Sequence, residues 1–160
     1  MPVRQDYLLR MIEQAFEVLR RIRKRRQDGD LAQAVRDADG AVDEILGPAA
    51  AVAVRLDAFT AAQLIREPER VALWARVVAE KAEALRGLGD EPAARAAGRR
   101  ALELAVEAWL LEDEQRRLTP ALRQVLDEAL EMARGWAAPE ELSERHRTAL
   151  EGAPRGPARG

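Results

Sequence analysis

The chain has no cysteine, one histidine, one serine and one tyrosine, and aromatic residues make up only 4% of it. Without cysteine, disulfides and thiolate metal sites are excluded, and the redox compartment is left open with a lean to the cytoplasm. A single histidine cannot build a carboxylate-bridged metal centre that needs Glu-x-x-His on two helices, and the residue three before His146 is Ser143. Phosphate cradles are missing too, because no Gly-Lys-Ser or Gly-Lys-Thr loop occurs and Gly87-Leu88-Gly89 reads as a helix end. No cofactor is expected. Long apolar runs are also absent: the longest, Pro48 to Val54, is far too short to span a bilayer. The opening Met-Pro-Val-Arg-Gln-Asp-Tyr has no apolar signal core. These absences predict a soluble, cytoplasmic protein with no membrane span. A net charge of -2 argues against a general polyanion binder, although a local cluster can act independently of the sum.

What is present is the composition of paired helices. The 160 residues are 48% apolar and 34% charged, dominated by Ala, Leu, Arg and Glu. A chain of this length typically buries about 70% of its unfolded surface, so one domain over residues 1–151 is expected. In the stretch from Val71 to Leu111, Val71, Trp74, Ala75, Val78, Ala82 and Leu85 recur at three- and four-residue steps, placing one apolar stripe on a helix. From Ala101 to Leu111 only Glu103 and Glu107 interrupt the apolar residues, so this second arm is read as the central helix with more than one neighbour. Between the arms, Gly89 suits the left-handed conformation that closes a helix, Asp90 can cap the next, and Pro92 falls in its first turn. The small residues Ala94, Ala97, Gly98 and Ala101 are expected to let the facing arm approach closely.

The first helix is predicted from near Arg4, with Leu8, Met11, Ile12, Ala15, Leu19 and Ile22 inward, ending at Asp28-Gly29. Asp30 is read as the cap of a second helix that runs to about Leu46 and stops at Gly47-Pro48. The predicted plan is therefore a hairpin over residues 4–46, a connector over 47–67 and a hairpin over 68–111. Capping helices follow over 118–150, then a disordered Gly-, Pro- and Arg-rich tail over 152–160. In the connector, Thr60-Ala61-Ala62-Gln63 fits a capping box, and Pro68 suits the first turn of the long arm. Glu112 to Arg117 reads as a charged break, Thr119-Pro120 as a helix start, and Pro139 to Leu150 as one last polar helix.

The two hairpins align without a gap at an offset of sixty residues: Gly29-Asp30 over Gly89-Asp90, Ala34 over Ala94, Ala38 over Gly98, Ala41 over Ala101. Small and apolar positions correspond on both arms, as stacked helix-turn-helix units require. Gly-Asp followed by Ala at the fifth and twelfth positions after Gly resembles the tetratricopeptide repeat signature. Ala38 and Gly98 stand where that repeat usually has a large aromatic, and no proline follows Leu104 directly. The opening Asp6-Tyr7-Leu8-Leu9-Arg10-Met11-Ile12-Glu13, with Gly29-Asp30 and the Ala-rich helix, resembles an uncharacterised bacterial family of tetratricopeptide-like (TPR-like) helical proteins over roughly the first 110 residues. The resemblance implies an all-α array of antiparallel helix hairpins with a C-terminal capping segment, and implies no catalytic residue.

Reactive groups are few. Ser143 and His146 sit three apart on a polar segment and are read as solvated, because an activated nucleophile needs a base held by a third group. Glu112, Asp113 and Glu114 read as a solvated acidic face. No catalytic, cofactor-binding or metal-ligating residue is singled out. The sharpest charge feature is the set Arg20, Arg21, Arg23, Lys24, Arg25 and Arg26, six cations in seven residues at the end of the first helix. Cations there complement the helix dipole, with Asp37, Asp43 and Glu44 available to offset some of them. The alternative is contact with an anionic partner, RNA or a membrane surface, although no aromatic lies beside the cluster for base stacking. Trp74, Trp109 and Trp136 are read as packing residues, or as partner anchors if exposed. The expectation is a non-enzymatic protein-interaction or assembly scaffold with a protein partner, self-association being compatible. Nucleic-acid binding through the Arg20 to Arg26 cluster is the second reading.

Overall fold

The structure, a computed structural model, describes residues 2–153 and 155, with side chains from Gln5 onward. It is all-α, with no strand among the described residues. Helix α1 (Pro2–Gln27) starts slightly earlier than its stripe requires, and buries Met11, Ala15, Leu19 and Ile22 against α2 (Leu31–Leu46). Gly47 at φ +62 and Pro48 stop α2. The connector holds a short 3₁₀ turn, then α3 (Ala50–Ala53) and α4 (Ala58–Ile65). The long arms are α5 (Pro68–Gly87) and α6 (Glu91–Gln115), followed by α7 (Pro120–Ala133) and α8 (Glu144–Gly152).

The two hinges, sixty residues apart, close with matching backbone hydrogen bonds. In the first hinge Asp28, Gly29 and Asp30 donate their backbone N–H groups to the carbonyls of Lys24, Arg26 and Arg25 at 2.9, 3.2 and 2.8 Å. In the second, Leu88, Gly89 and Asp90 donate to Ala84, Arg86 and Leu85 at 3.0, 2.9 and 3.1 Å. Both are the paired closure in which a left-handed residue lets two amides reach back over the last turn, and Gly29 and Gly89 take it at φ +79 and +81. The side chains of the following aspartates differ. Asp90 accepts from the Ala93 N–H at 3.3 Å and caps α6 as expected. Asp30 makes no capping bond and instead takes the Arg25 guanidinium at 3.2 Å, because α1 places a cation within its reach.

Helix α5 is the centre of the fold, packing against α1, α2, α4, α6 and α7. This corrects the expectation that α5 buries a single stripe and that α6 is central. All ten residues from Val71 to Glu80 are buried. Arg76 and Glu80 look like a polar face in the sequence, yet inside the protein they neutralise one another at 2.8 Å. Helix α7 packs on both α5 and α6, and α5 packs chiefly on α2 and less on α1.

Small residues on α6 serve two neighbours rather than one. Ala94 and Ala82 pack together between the arms, but Gly98 faces the indole of Trp136. A Cβ at Gly98 would lie 2.1 Å from the Trp136 ring, so the missing side chain makes room for an aromatic carried by the turn after α7. Three boundaries also shift. The true cap of α4 is Asp57, accepting from the Thr60 N–H at 3.0 Å, which places Thr60 inside the helix instead of starting it. Helix α6 runs through the expected charged break to Gln115, because Glu112 is buried and receives the N–H groups of Arg117 and Leu118 at 2.5 and 3.0 Å. The last segment is a 3₁₀ turn, Pro139–Glu141, and then α8 capped by Ser143. Gly152 still belongs to α8 and Ala153 is buried, so order extends past the expected start of the tail. The rest of the tail, apart from Arg155, lies outside the described residues. No helix among the described residues is long and apolar enough to cross a membrane.

Candidate functional site

The cationic run on α1 is bound up with carboxylates on two other helices and on the hinge. Arg26 Nε donates to Glu80 at 2.7 Å, Arg25 lies 3.2 Å from Asp30 and 3.4 Å from Asp37, and Lys24 lies 3.7 Å from Asp28. Arg21 and Arg23 stand at 4.0 Å from Asp37 and Glu80 respectively. Arg20 is exposed on the outer face of α1. The offset therefore comes chiefly from Glu80, Asp30 and Asp37, whereas the ion pairs found do not involve the expected Asp43 or Glu44. Glu80 is wholly buried and also accepts from Arg76, whose Nε reaches Glu128 on α7 at 3.0 Å. One chain of charges thus ties helices α1, α5 and α7 together.

A second ion cluster overturns the solvated reading of His146, whereas Ser143 is exposed as expected. The Ser143 hydroxyl accepts from the His146 N–H at 3.2 Å to cap α8. His146 itself is 5% exposed, with Nε2 at 2.7 Å from Glu107 and Nδ1 at 3.7 Å from Glu103. Arg145 completes the cluster by donating to both oxygens of Glu107, at 3.1 and 2.9 Å, and its guanidinium covers the Phe59 ring at 4.6 Å. Burial works to raise the Glu107 carboxyl, but hydrogen bonds from His146 and Arg145 outweigh it, and the group is held below its ordinary range. Glu69 goes the other way: burial raises it above its ordinary range, against the pull of Arg117 at 2.9 Å. Both clusters are held by ion pairs within the protein, while Glu69 Oε1 and His146 Nδ1 are buried without a hydrogen-bond partner among the described residues.

The tryptophans pack. Trp74 is 2% and Trp136 7% exposed, with Arg100 and Arg86 over their rings at 5.1 and 4.0 Å, while Trp109 is half-buried near Gly152.

A groove of about 840 Å³ lies over α5, lined also by residues of α2 and α6 and by Val54. Its floor is Trp74, Val77, Val78, Lys81 and Leu85 on α5. Beside it, Arg100 Nη1 and Nη2 donate to the carbonyls of Leu56 and Ala53 at 2.6 and 3.2 Å, holding the connector against α6. Burial pulls the Arg100 guanidinium down from its usual value, opposed by Glu103 and Asp57, and an arginine so placed remains a cation at the groove's edge. Across the floor, Lys81 reaches Asp39 on α2 at 2.7 Å. Four of the seven exposed large apolar side chains, Val52, Val54, Phe59 and Leu64, lie on the connector, so apolar surface continues outward from Val54. Of the groove residues only Trp74 is read from the sequence as a possible anchor, on condition of exposure, and it is 2% exposed.

Compared with family models, curated proteins and solved structures, the chain matches none.

Proposed function

We propose that this chain is a non-enzymatic, TPR-like protein-interaction or assembly module. The observation that carries the reading is the open apolar groove over α5, in a fold whose two hairpins close with the same three backbone bonds. The packing of α7 on both α5 and α6, with α5 in turn on α2 and less on α1, supports the repeat character. Support for a non-catalytic role comes from Ser143 and His146, one used as a helix cap and the other held against Glu107. Nucleic-acid binding is favoured less, because five of the six cations in the α1 cluster lie within 4.0 Å of a carboxylate.

The test is capture on the immobilised full chain from an extract of the cells that make it, with and without nuclease. A protein retained after nuclease treatment, and retained equally by the variant with Arg21, Arg25 and Arg26 changed to Gln, is the expected result. Retention of nucleic acid alone, salt-sensitive and lost in that variant, overturns the module reading in favour of phosphate binding.

A further inference from the structure

We infer that α8 is a releasable strap: a clasp centred on Glu107 holds it on α6, and it opens and melts as a unit, hinged after Leu142, while the rest of the fold stays closed. This goes beyond the interaction-module reading and does not depend on it.

Apolar packing holds the strap only weakly. Within α8 just His146 and Ala149 are buried, Leu150 is half-buried, and Ala153 follows directly after the helix. That is little apolar surface to set against the entropy of ordering the nine residues of α8. A space of about 430 Å³ also lies between Leu110 on α6 and Glu144, Arg145, Thr148 and Ala149 on α8, so packing along this side is loose.

Glu107 supplies the hold. Arg145 donates to both of its oxygens, at 3.1 and 2.9 Å, and His146 Nε2 lies 2.7 Å from one of them. A polar clasp of this kind lies near balance. Closing takes Glu107 out of water, a cost that the ion pairs offset, and opening returns Glu107, Arg145 and His146 to water, which satisfies them again. His146 Nδ1 favours opening further: in the closed form it is buried without a hydrogen bond among the described residues, with Glu103 3.7 Å away, and water would supply the missing partner. Glu80 is equally buried, but its partners Arg26 and Arg76 sit on α1 and α5, so freeing it means taking the core apart.

Burial marks the hinge. Trp136 sits against Gly98 and Leu142 is 6% exposed, so the chain is anchored up to that point. Leu142 and Ser143 are both extended, at ψ 152 and 154, and α8 begins directly after them. A helix as short as α8 is marginal by itself in water, so release of the clasp melts it. Opening returns Glu107 to solvent and bares the ring of Phe59 on α4, which Arg145 covers at 4.6 Å.

Amide hydrogen exchange on the full chain, followed through urea concentrations below the unfolding transition, separates local from global opening. The amides of 146–152 are expected to exchange faster than those of 71–80 and without the urea dependence of the core. Ile45→Val, in the core on α2, weakens the strapped and unstrapped forms alike. It should speed exchange in 71–80 by roughly threefold to tenfold and leave 146–152 unchanged. Glu107→Gln should speed 146–152 by roughly tenfold to a hundredfold, the scale of losing charge-assisted hydrogen bonds. Arg145→Gln, at an exposed position, should do the same without touching α6, and so stands in if Glu107→Gln does not fold. The strap reading fails if 146–152 exchange only together with the core and with its urea dependence, or if Ile45→Val speeds both regions equally. It fails equally if Arg145→Gln leaves α8 exchange unchanged, or if 146–152 are unprotected in the wild type, since no clasp then closes.

Discussion

The imidazole of His146 on α8 meets the carboxylate of Glu107 on α6 at 2.7 Å, in a pocket where Glu107 is 1% and His146 5% exposed. Helix α8 is short, and its main helix neighbour is α6, so this contact and the paired bonds from Arg145 pin it in place. The position of the C-terminal segment is thereby coupled to the charge on one buried carboxylate.

A pH dependence follows from the direction in which that carboxylate is shifted. Glu107 is held below its ordinary range in the folded protein, so its ionised form stabilises the fold. That stabilisation is fully present above the unfolded value near 4.5 and is lost as pH falls through the lower folded value. Glu107→Gln should therefore flatten the acid limb of a thermal-stability profile. Glu69 has the opposite sign: its folded value is raised, so it favours the fold below its unfolded value and loses that contribution as pH rises through the folded one. Glu69→Gln should remove a small decline on the alkaline side of that same window. Melting curves of both variants from pH 3 to 7 check the pair, and parallel acid limbs in the wild type and Glu107→Gln would refute the first claim.

Glu80 is expected to be the most sensitive charged position. Its removal leaves Arg76, 3% exposed, with only Glu128 as a partner. Glu80→Ala should cost about 3–5 kcal/mol, since an uncompensated charge remains in the core. Replacing both Arg76 and Glu80 by Leu should recover much of that loss, because an apolar pair of similar volume removes the need for compensation. Urea denaturation of the single and double variants decides the matter.

Gly98 and Trp136 should behave as one unit. Gly98→Ala drives a methyl into the indole, with a cost of about 1–3 kcal/mol and a red shift of tryptophan emission as the ring is displaced. In Trp136→Ala the same change at Gly98 should be nearly neutral, so the two effects are strongly non-additive. Equal costs of Gly98→Ala in both backgrounds would mean that the ring lies elsewhere.

The hinges offer a direct test of the internal repeat. Gly29 and Gly89 share a left-handed backbone with nothing within 4 Å of a built Cβ, so alanine there pays only the conformational penalty. Gly29→Ala and Gly89→Ala should each lower stability by about 1–2 kcal/mol, and by similar amounts. A marked difference, measured by chemical denaturation, would show that the two closures are not equivalent.

Much of the helical plan was legible because it depends on local chemistry. Apolar residues at three- and four-residue steps identify α1, α2, α5, α6 and α7, and the Gly-Asp pairs mark both hinges, since a left-handed residue is needed wherever a helix closes in this way. The cap of α7 at Thr119 was visible for the same reason, its hydroxyl accepting from the Leu122 N–H at 3.3 Å. The cap of α4 was misplaced by three residues because Asp57 and Thr60 are both good capping types, and the choice between them rests on where the connector turns.

Only tertiary structure could decide which charges go inside. Arg76, Glu80, Glu107 and His146 have the sequence signature of solvated side chains, and each is buried because a partner distant in sequence arrives to neutralise it: Arg26 and Glu128 for the first pair, helix α8 for the second. The same holds for the groove. Trp74, Lys81 and Ala96 line one space because α2 and α6 both pack on α5, which local periodicity does not state. Period and propensity act over a few residues and so can be read from the chain, while the separation of two helices is set by what is wedged between them.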